Sequence, residues 1–410
     1  MAINDLLALI TKDFKKKYKE DGPAIRIADD VPPVTGLIVD NPLLEFILDR
    51  RFLAYGRCYL TYGKKGCSKT SLFFYLAKLF QENGGDVVWV ETERAADLDY
   101  ARKQGVDTSR LIIPETNSLQ EALTTVEMVI KNLPKAYPDG NTPVLICLDS
   151  IAGGITEYEL GDGVGVGEVK VGEHARLMSS FYRRICTPLS YEKAIFLGLN
   201  QLKDVIAKMS FGPDPGEALI GGDAQKFHST YQWKMARTAD MVLSQENGSE
   251  RKVGSKHSIT GKRNKLGREG NSQQIEYDLY INGGIDWYSP LVRFIGKSYK
   301  TPITKSGGWY TWDIPNVSYF VTDEKGRIAK NEDGSFKTLI IDVAQKFREH
   351  ELGVVIANSP QAKDIIRTEF GIPDLPSEEI IKEIETENKK KRARKKVSDD
   401  DNPAAPKDVL

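Results

Sequence analysis

Eight consecutive residues constrain this chain more than any others. Gly63-Lys64-Lys65-Gly66-Cys67-Ser68-Lys69-Thr70 follows the apolar run Arg57–Tyr62 and opens a segment with helical apolar spacing, Ser71–Asn83. Strand, glycine-bearing turn and helix in that order make a phosphate-binding loop, because the turn's N–H groups and the helix dipole face an anion. Lys69 is placed to reach the β- and γ-phosphates of a nucleotide, and the Thr70 hydroxyl to ligate Mg2+. The motif's second glycine is replaced by Ser68. Serine enters positive φ only at a cost, so this position predicts a tilted or weakened loop.

A loop of this kind needs a sheet behind it. Asp86–Glu91, Pro143–Asp149 and Ala194–Asn200 are short runs rich in Val, Ile, Leu and aromatic residues, separated by the helical patterns Ser118–Asn132 and Glu173–Cys186. Continuous apolar strands alternating with helices predict an α/β fold, a mostly parallel sheet with helices on both faces. Gln274–Ile281 alternates instead, which predicts a half-exposed antiparallel strand at one side. Three strand ends then carry the polar residues that nucleotide chemistry needs. Asp149 closes an apolar run and suits the metal's water shell. Glu91 and Glu93 end another, where a carboxylate can orient an attacking water. Asn200-Gln201 ends the third, where an amide can sense the γ-phosphate, although an ordinary helix cap gives the same pair.

Lys and Arg total 57 against 58 Asp and Glu, a net charge of −1, so no overall polycation announces nucleic acid. Local features do. Tyr158–Gly172 and Leu202–Phe227 are glycine-rich and longer than the ~12–15 residues usual for loops inside compact domains. Arg176, Ser179 and Arg183 share one helix face, which fits a phosphate backbone or a merely solvated surface. Arg251–Arg268 concentrates Lys252, Lys256, Lys262, Arg263, Lys265 and Arg268, open to nucleic acid or to an incoming phosphate. The run Lys389–Lys396 precedes a short acidic stretch and reads as a disordered tail. Cys58, Cys67, Cys147 and Cys186 lack CxxC spacing, which predicts neither disulfides nor a zinc site. No apolar run approaches the roughly 20 residues of a membrane span, and the charged N-terminal helix pattern is not a signal peptide.

Taken together these residues resemble the RecA family of recombinases, most closely the UvsX-type recombinases of large bacteriophages. The resemblance covers about residues 35–320. It rests on the loop, on Asn41-Pro42-Leu43-Leu44 leading to Gly56-Arg57, and on the long run from Glu91-Thr92-Glu93-Arg94 through Val106-Asp107. It implies that Glu93 activates water, that Asp97 and Tyr100 hold adenine, that Leu148-Asp149-Ser150 is the Mg2+ strand and Gln201 the γ-phosphate sensor. It implies further that the two long loops bind DNA, with Arg176, Ser179, Arg183 and the Gly221-Gly222 pair contacting it. Phe227 falls at the subunit contact, and Arg263 and Lys265 reach the neighbouring protomer's ATP.

The expectation is a RecA-like P-loop ATPase core at residues 35–286. It is preceded by a short oligomerisation helix (1–34) and followed by a small α+β domain (287–376) and a charged tail (377–410). The implied function is ATP- and Mg2+-dependent homologous recombination by a helical filament on single-stranded DNA that also engages duplex DNA. Single-strand-binding and loader proteins are the implied partners, no membrane is involved, and the compartment is cytoplasmic, that of a bacterial host if the protein is phage-encoded. Two alternatives stay open: an ATP-regulated DNA-binding recombination mediator with little turnover, and a ring helicase. The helicase would need a larger N-terminal domain than about 35 residues allow.

Overall fold

The apolar runs become strands and the three-and-four-spaced segments become helices. The structure, a computed structural model, describes residues 3–18, 25, 33–94, 96–161, 172–204, 217–244, 248–267, 273–281, 283–299, 301–323 and 327–375. Residues 162–171 of the first long loop, 205–216 of the second, Arg268 and the Lys389–Lys396 run lie outside the described residues. Met1–Thr35 with Pro376–Leu410 form one unit, whose main described element is the amphipathic helix α1 (Ile3–Tyr18); Gly36–Leu375 form the other.

In the larger unit β1 (Gly36–Ile38) and β2 (Phe52–Ala54) pair antiparallel, with α2 (Pro42–Leu48) between them in sequence. Then follow β3 (Arg57–Gly63), α3 (Lys69–Glu82), β4 (Asp86–Glu91), α4 (Leu98–Lys103), β5 (Leu111–Ile112), α5 (Leu119–Ala136), β6 (Val144–Asp149), α6 (Glu157–Leu160) and α7 (Glu173–Leu189). After these come β7 (Ala194–Asp204), β8 (Glu217–Leu219), α8 (Ala224–His228), β9 (Tyr231–Ser244), β10 (Glu250–Asn264), β11 (Gln274–Tyr280) and β12 (Gly284–Asp286). The last stretch holds α9 (Tyr288–Ser298), the hairpin β13 (Ile303–Ser306) and β14 (Trp309–Trp312), the pair β15 (Ser318–Phe320) and β16 (Thr338–Ile340), and helices α10 (Glu349–Ala357) and α11 (Pro360–Phe370).

The central sheet runs β12-β11-β10-β9-β3-β7-β6-β4-β5, with β8 beside β7. From β5 to β9 every ladder on this path is parallel; from β9 to β12 every one is antiparallel. Alternation along β4 sorts the core. Val88 and Val90 pack with Leu119, Ala122, Val126, Met178 and Tyr182 of α5 and α7. Trp89, pointing the other way, meets Phe73 and Phe74 of α3 at 5.4 Å between ring centres. Helices therefore cover both faces, as the continuous apolar runs require.

The expected alternation of Gln274–Ile281 holds at first, with Ile275 and Tyr277 fully buried, and then breaks at Asp278, which is 3% exposed. Arg293 of α9 is the reason: its guanidinium meets Asp278 at 3.1 Å. The basic stretch Arg251–Arg268 keeps Arg251, Lys252, Lys262 and Lys265 exposed. Most of it is β10, bonded to β9 on one side and β11 on the other, with three register shifts and with His257, Ser258 and Ile259 buried.

The helix α11 is fastened to α2 by charge. Arg367 donates Nε and Nη2 to the two carboxylate oxygens of Glu45 at 2.6 and 2.7 Å, and bonds Asp40 and Asp364 as well. Glu45 has no exposed surface. Removing one partner strands the other charge in the interior, so Arg367→Leu should cost about 3–5 kcal/mol in urea unfolding. The Glu45→Gln/Arg367→Leu double variant should recover part of that loss, because the stranded charge is gone.

Candidate functional site

Strand register assembles the site. Gly63 at the end of β3 lies level with Gln201 on β7, and Glu91 on β4 lies level with Asp149 on β6. All four strands point their carboxyl ends to the same edge, where open α/β sheets take their ligands. Gly63 has to be glycine, since a Cβ there would fall 2.3 Å from the Met235 carbonyl oxygen of β9. The loop then turns through Gly66 at φ +77° and Ser68 at φ +64°, and α3 starts at Lys69. Lys69 Nζ folds back over the loop, donating to the carbonyls of Gly63 and Lys64 at 3.3 Å each. Ser68 Oγ is turned into the protein, 2.5 Å from Tyr277 Oη and 3.0 Å from His257 Nδ1. The loop is thus braced at the position where the sequence predicts weakness.

Thr70 donates its hydroxyl to Asp149 Oδ2 at 2.9 Å. Burial chiefly, and then the nearby Glu93 and Glu91 carboxylates, raise the Asp149 pKa to about 6 against the Thr70 hydrogen bond and the Lys69 charge. Glu93 itself is exposed, yet oriented: Ser150 Oγ and Gln201 Nε2 donate to its Oε1 at 2.7 and 3.2 Å. Its N–H donates to Glu91 Oε1 at 2.9 Å. Asp97 caps α4, accepting from the Tyr100 N–H at 2.9 Å, and Tyr100 Oη lies 3.0 Å from Ser71 Oγ on α3. The P-loop residues, Thr70, Asp149, Glu93, Gln201, Tyr100 and Asp97 thus gather along one edge of the fold.

The helix α7 turns Arg176 and Arg183 to solvent, with Ser179 half-buried and Met178, Tyr182 and Ile185 on the buried side. Gly221 and Gly222 adopt φ +85° and +70°, and a Cβ on Gly222 would come 2.8 Å from the Cβ of Ala175 on α7. The second loop therefore ends against the helix that carries the arginine stripe. Asn200 ties this end to the sheet, donating to the Ile220 carbonyl at 2.8 Å and to Gln225 Oε1 at 2.7 Å. Gln225 in turn donates to the Ile220 and Gly222 carbonyls at 2.6 and 2.9 Å. A bonded path runs from Glu93 through Gln201 and Asn200 to the glycine pair.

Arg263 and Lys265 sit apart from this edge: Arg263 donates to the Lys226 carbonyl at 3.2 Å, and Lys265 donates to the Phe227 carbonyl. Phe227 is 68% exposed on α8. The sequence reasoning missed Ser150, Gln225, His257 and Tyr277 as site residues. Ser150 alone carried a local signal, by following directly the aspartate that ends β6.

Residues 7–286 match the RecA N-terminal domain family. The chain belongs to the RecA family. It is 27% identical to Protein RecA of Frankia casuarinae over 355 residues, covering 86% of this chain and 93% of that one. Protein RecA of Kineococcus radiotolerans is 28% identical over 333 residues (81% and 88% covered), and that of Streptomyces rimosus 28% over 354 (86% and 85%). The protein is accordingly a RecA-type DNA recombinase, a nucleotide-binding, DNA-dependent ATPase of a filament-forming family. Among the described residues no helix is long and apolar enough to cross a membrane.

The raised pKa of Asp149 has a sign that can be tested. The unfolded chain ionises this group near 3.8, the folded chain near 6, so the fold is favoured at low pH and loses that contribution as pH rises through 6. Asp149→Asn should therefore stabilise the nucleotide-free protein at pH 7.5 by on the order of 1–3 kcal/mol in urea unfolding, and the gain should vanish near pH 4.

Proposed function

We propose that the loop Gly63–Thr70 binds the phosphates of ATP, that Glu93 orients the attacking water, and that Gln201 reports the γ-phosphate to the DNA-binding loops. The observation that carries this reading is the pair of hydrogen bonds converging on Glu93 Oε1 from Ser150 and Gln201. They hold a surface carboxylate in one orientation at the edge where the phosphate loop opens. Thr70 and Asp149 offer a hydroxyl and a carboxylate oxygen, hard donors that suit Mg2+. No group of three or more His, Cys, Asp or Glu gathers around them among the described residues. That fits a metal held chiefly by substrate phosphates and water, and the ion supplies charge neutralisation on the phosphoryl oxygens.

Asp97 and Tyr100 take the adenine side of the site. Arg263 and Lys265, bonded beside Phe227, serve the neighbouring protomer's nucleotide, which makes ATP a ligand shared between subunits. Arg176, Ser179, Arg183, Gly221 and Gly222 hold the phosphate backbone of single-stranded DNA and leave base edges free, so that pairing with a duplex supplies the specificity. The path Glu93–Gln201–Asn200–Gln225 supports coupling between hydrolysis and the DNA loop, because losing the γ-phosphate would free Gln201. The α1 helix, with Leu6 51% exposed, serves as the oligomerisation element, residues 287–376 as a small C-terminal domain and 377–410 as a tail. Kinship with the UvsX-type phage recombinases, a bacterial host cytoplasm, and single-strand-binding and loader partners belong to the same proposal.

Phosphate release from ATP with and without long single-stranded DNA tests it. Lys69→Ala should lose nucleotide binding, and Glu93→Gln should bind ATP while releasing phosphate roughly 10²–10⁴ times more slowly. Arg263→Ala/Lys265→Ala should lose DNA-stimulated release, and mixing it with Glu93→Gln should restore part of the activity. Stimulation that survives in the Arg263/Lys265 variant would remove these two residues from the site. Replacing Leu6, Leu7 and Ile10 with charged residues should abolish filaments in electron micrographs.

A further inference from the structure

Ser68, the residue that departs from the phosphate-loop pattern, is the hub of a polar network that the ATPase chemistry above does not use. Its Oγ lies 2.6 Å from the Cys67 carbonyl, 2.5 Å from Tyr277 Oη and 3.0 Å from His257 Nδ1. The other ring nitrogen, His257 Nε2, lies 2.8 Å from Ser255 Oγ. Donor accounting fixes the Nδ1 side of the ring, and in the neutral imidazole it fixes the Nε2 side as well. A carbonyl only accepts, so the Ser68 hydroxyl donates to Cys67. Both lone pairs of Ser68 Oγ then accept, from the Tyr277 O–H and from His257 Nδ1–H. The remaining lone pair of His257, on Nε2, accepts from the Ser255 hydroxyl. Every polar atom is satisfied with the imidazole neutral, and burial lowers the His257 pKa to about 4, which fits that form.

The mount is rigid. His257 is 1% exposed and Tyr277 fully buried, their rings stack at 5.3 Å and 16°, and Tyr277 also meets Trp287 at 5.0 Å. Strands β10 and β11 hold the two residues directly opposite each other, His257 level with Tyr277. Meanwhile Ser68 holds φ +64°, which side-chain-bearing residues rarely adopt, immediately before the first residue of α3.

We propose that His257 and Tyr277 are positioning residues for nucleotide binding: their hydrogen bonds to Ser68 hold the phosphate loop in the left-handed turn that a glycine would adopt unaided. Elements remote in sequence thereby replace the conformational freedom missing from the loop itself. This rests on the reading of Gly63–Thr70 as the ATP phosphate loop.

The test is a mutant cycle read by binding of a fluorescent ATP analogue with Mg2+, without DNA, to the full chain. In the Ser68 background, Tyr277→Phe and His257→Leu should each weaken binding roughly five- to tenfold. In the Ser68→Gly background the same changes should leave affinity within about twofold, because glycine needs no brace. Equal losses in both backgrounds, or no loss in the Ser68 background, would overturn the proposal. Tyr277→Phe removes a single oxygen and keeps the cycle readable if His257→Leu does not fold. Lys69→Ala separates the two levels: retained affinity there would overturn the loop reading itself, whereas lost affinity without the Ser68 dependence would overturn only the brace.

Discussion

The register of four parallel strands is the constraint on which the rest of this molecule depends. A slip of one residue in β6 against β4 would turn Asp149 to the opposite face and separate it from Thr70. The apolar faces of β4, β6 and β7, each buried against helices on two sides, make such a slip prohibitive. The core therefore does more than stabilise. It places Glu91 beside Asp149, and Gly63 beside Gln201, to within a hydrogen bond. Burial of Asp149, and after it the nearness of Glu93 and Glu91, appears as the raised pKa of Asp149.

Much of the sheet was legible because burial on two faces writes itself as unbroken apolar runs. β4 was bounded to the residue, and β3, β6 and β7 differ from their expected ends by one to four residues. The helix α3 begins at Lys69, two residues before the apolar spacing starts, and α7 continues to Leu189, carrying Pro188 in its last turn. The long hairpin of β9 and β10 was not legible. Gly254, Ser255, Ser258, Thr260 and Gly261 carry no apolar alternation, and β10 is ordered by ladders on both sides rather than by its own side chains. Its basic composition pointed to a patch and said nothing of the strand that carries most of it.

The site divides in the same way. Lys69, Thr70, Asp149, Glu93 and Gln201 stand at strand ends or in a spaced motif, so their neighbourhood follows from topology. Gln225 and His257 do not announce themselves, since each earns its place through a contact formed only in the folded chain, His257 across 189 positions of sequence. The C-terminal elements add a related lesson. Arg293 and Arg367 bury carboxylate partners from the sheet and from α2, contacts in which geometry counts for more than net stability.

One strand, β10, deserves to be considered as a mechanical part. It carries His257, in contact with its own protomer's phosphate loop, and six residues later Arg263, assigned above to the next protomer's nucleotide. Six residues of extended chain span about 20 Å, and a strand laddered on one or both sides resists changing its length. A shift of the loop on one nucleotide would then push or pull on the neighbouring one through a stiff rod. On the role proposed for Arg263, the nucleotides of a filament would be coupled in series.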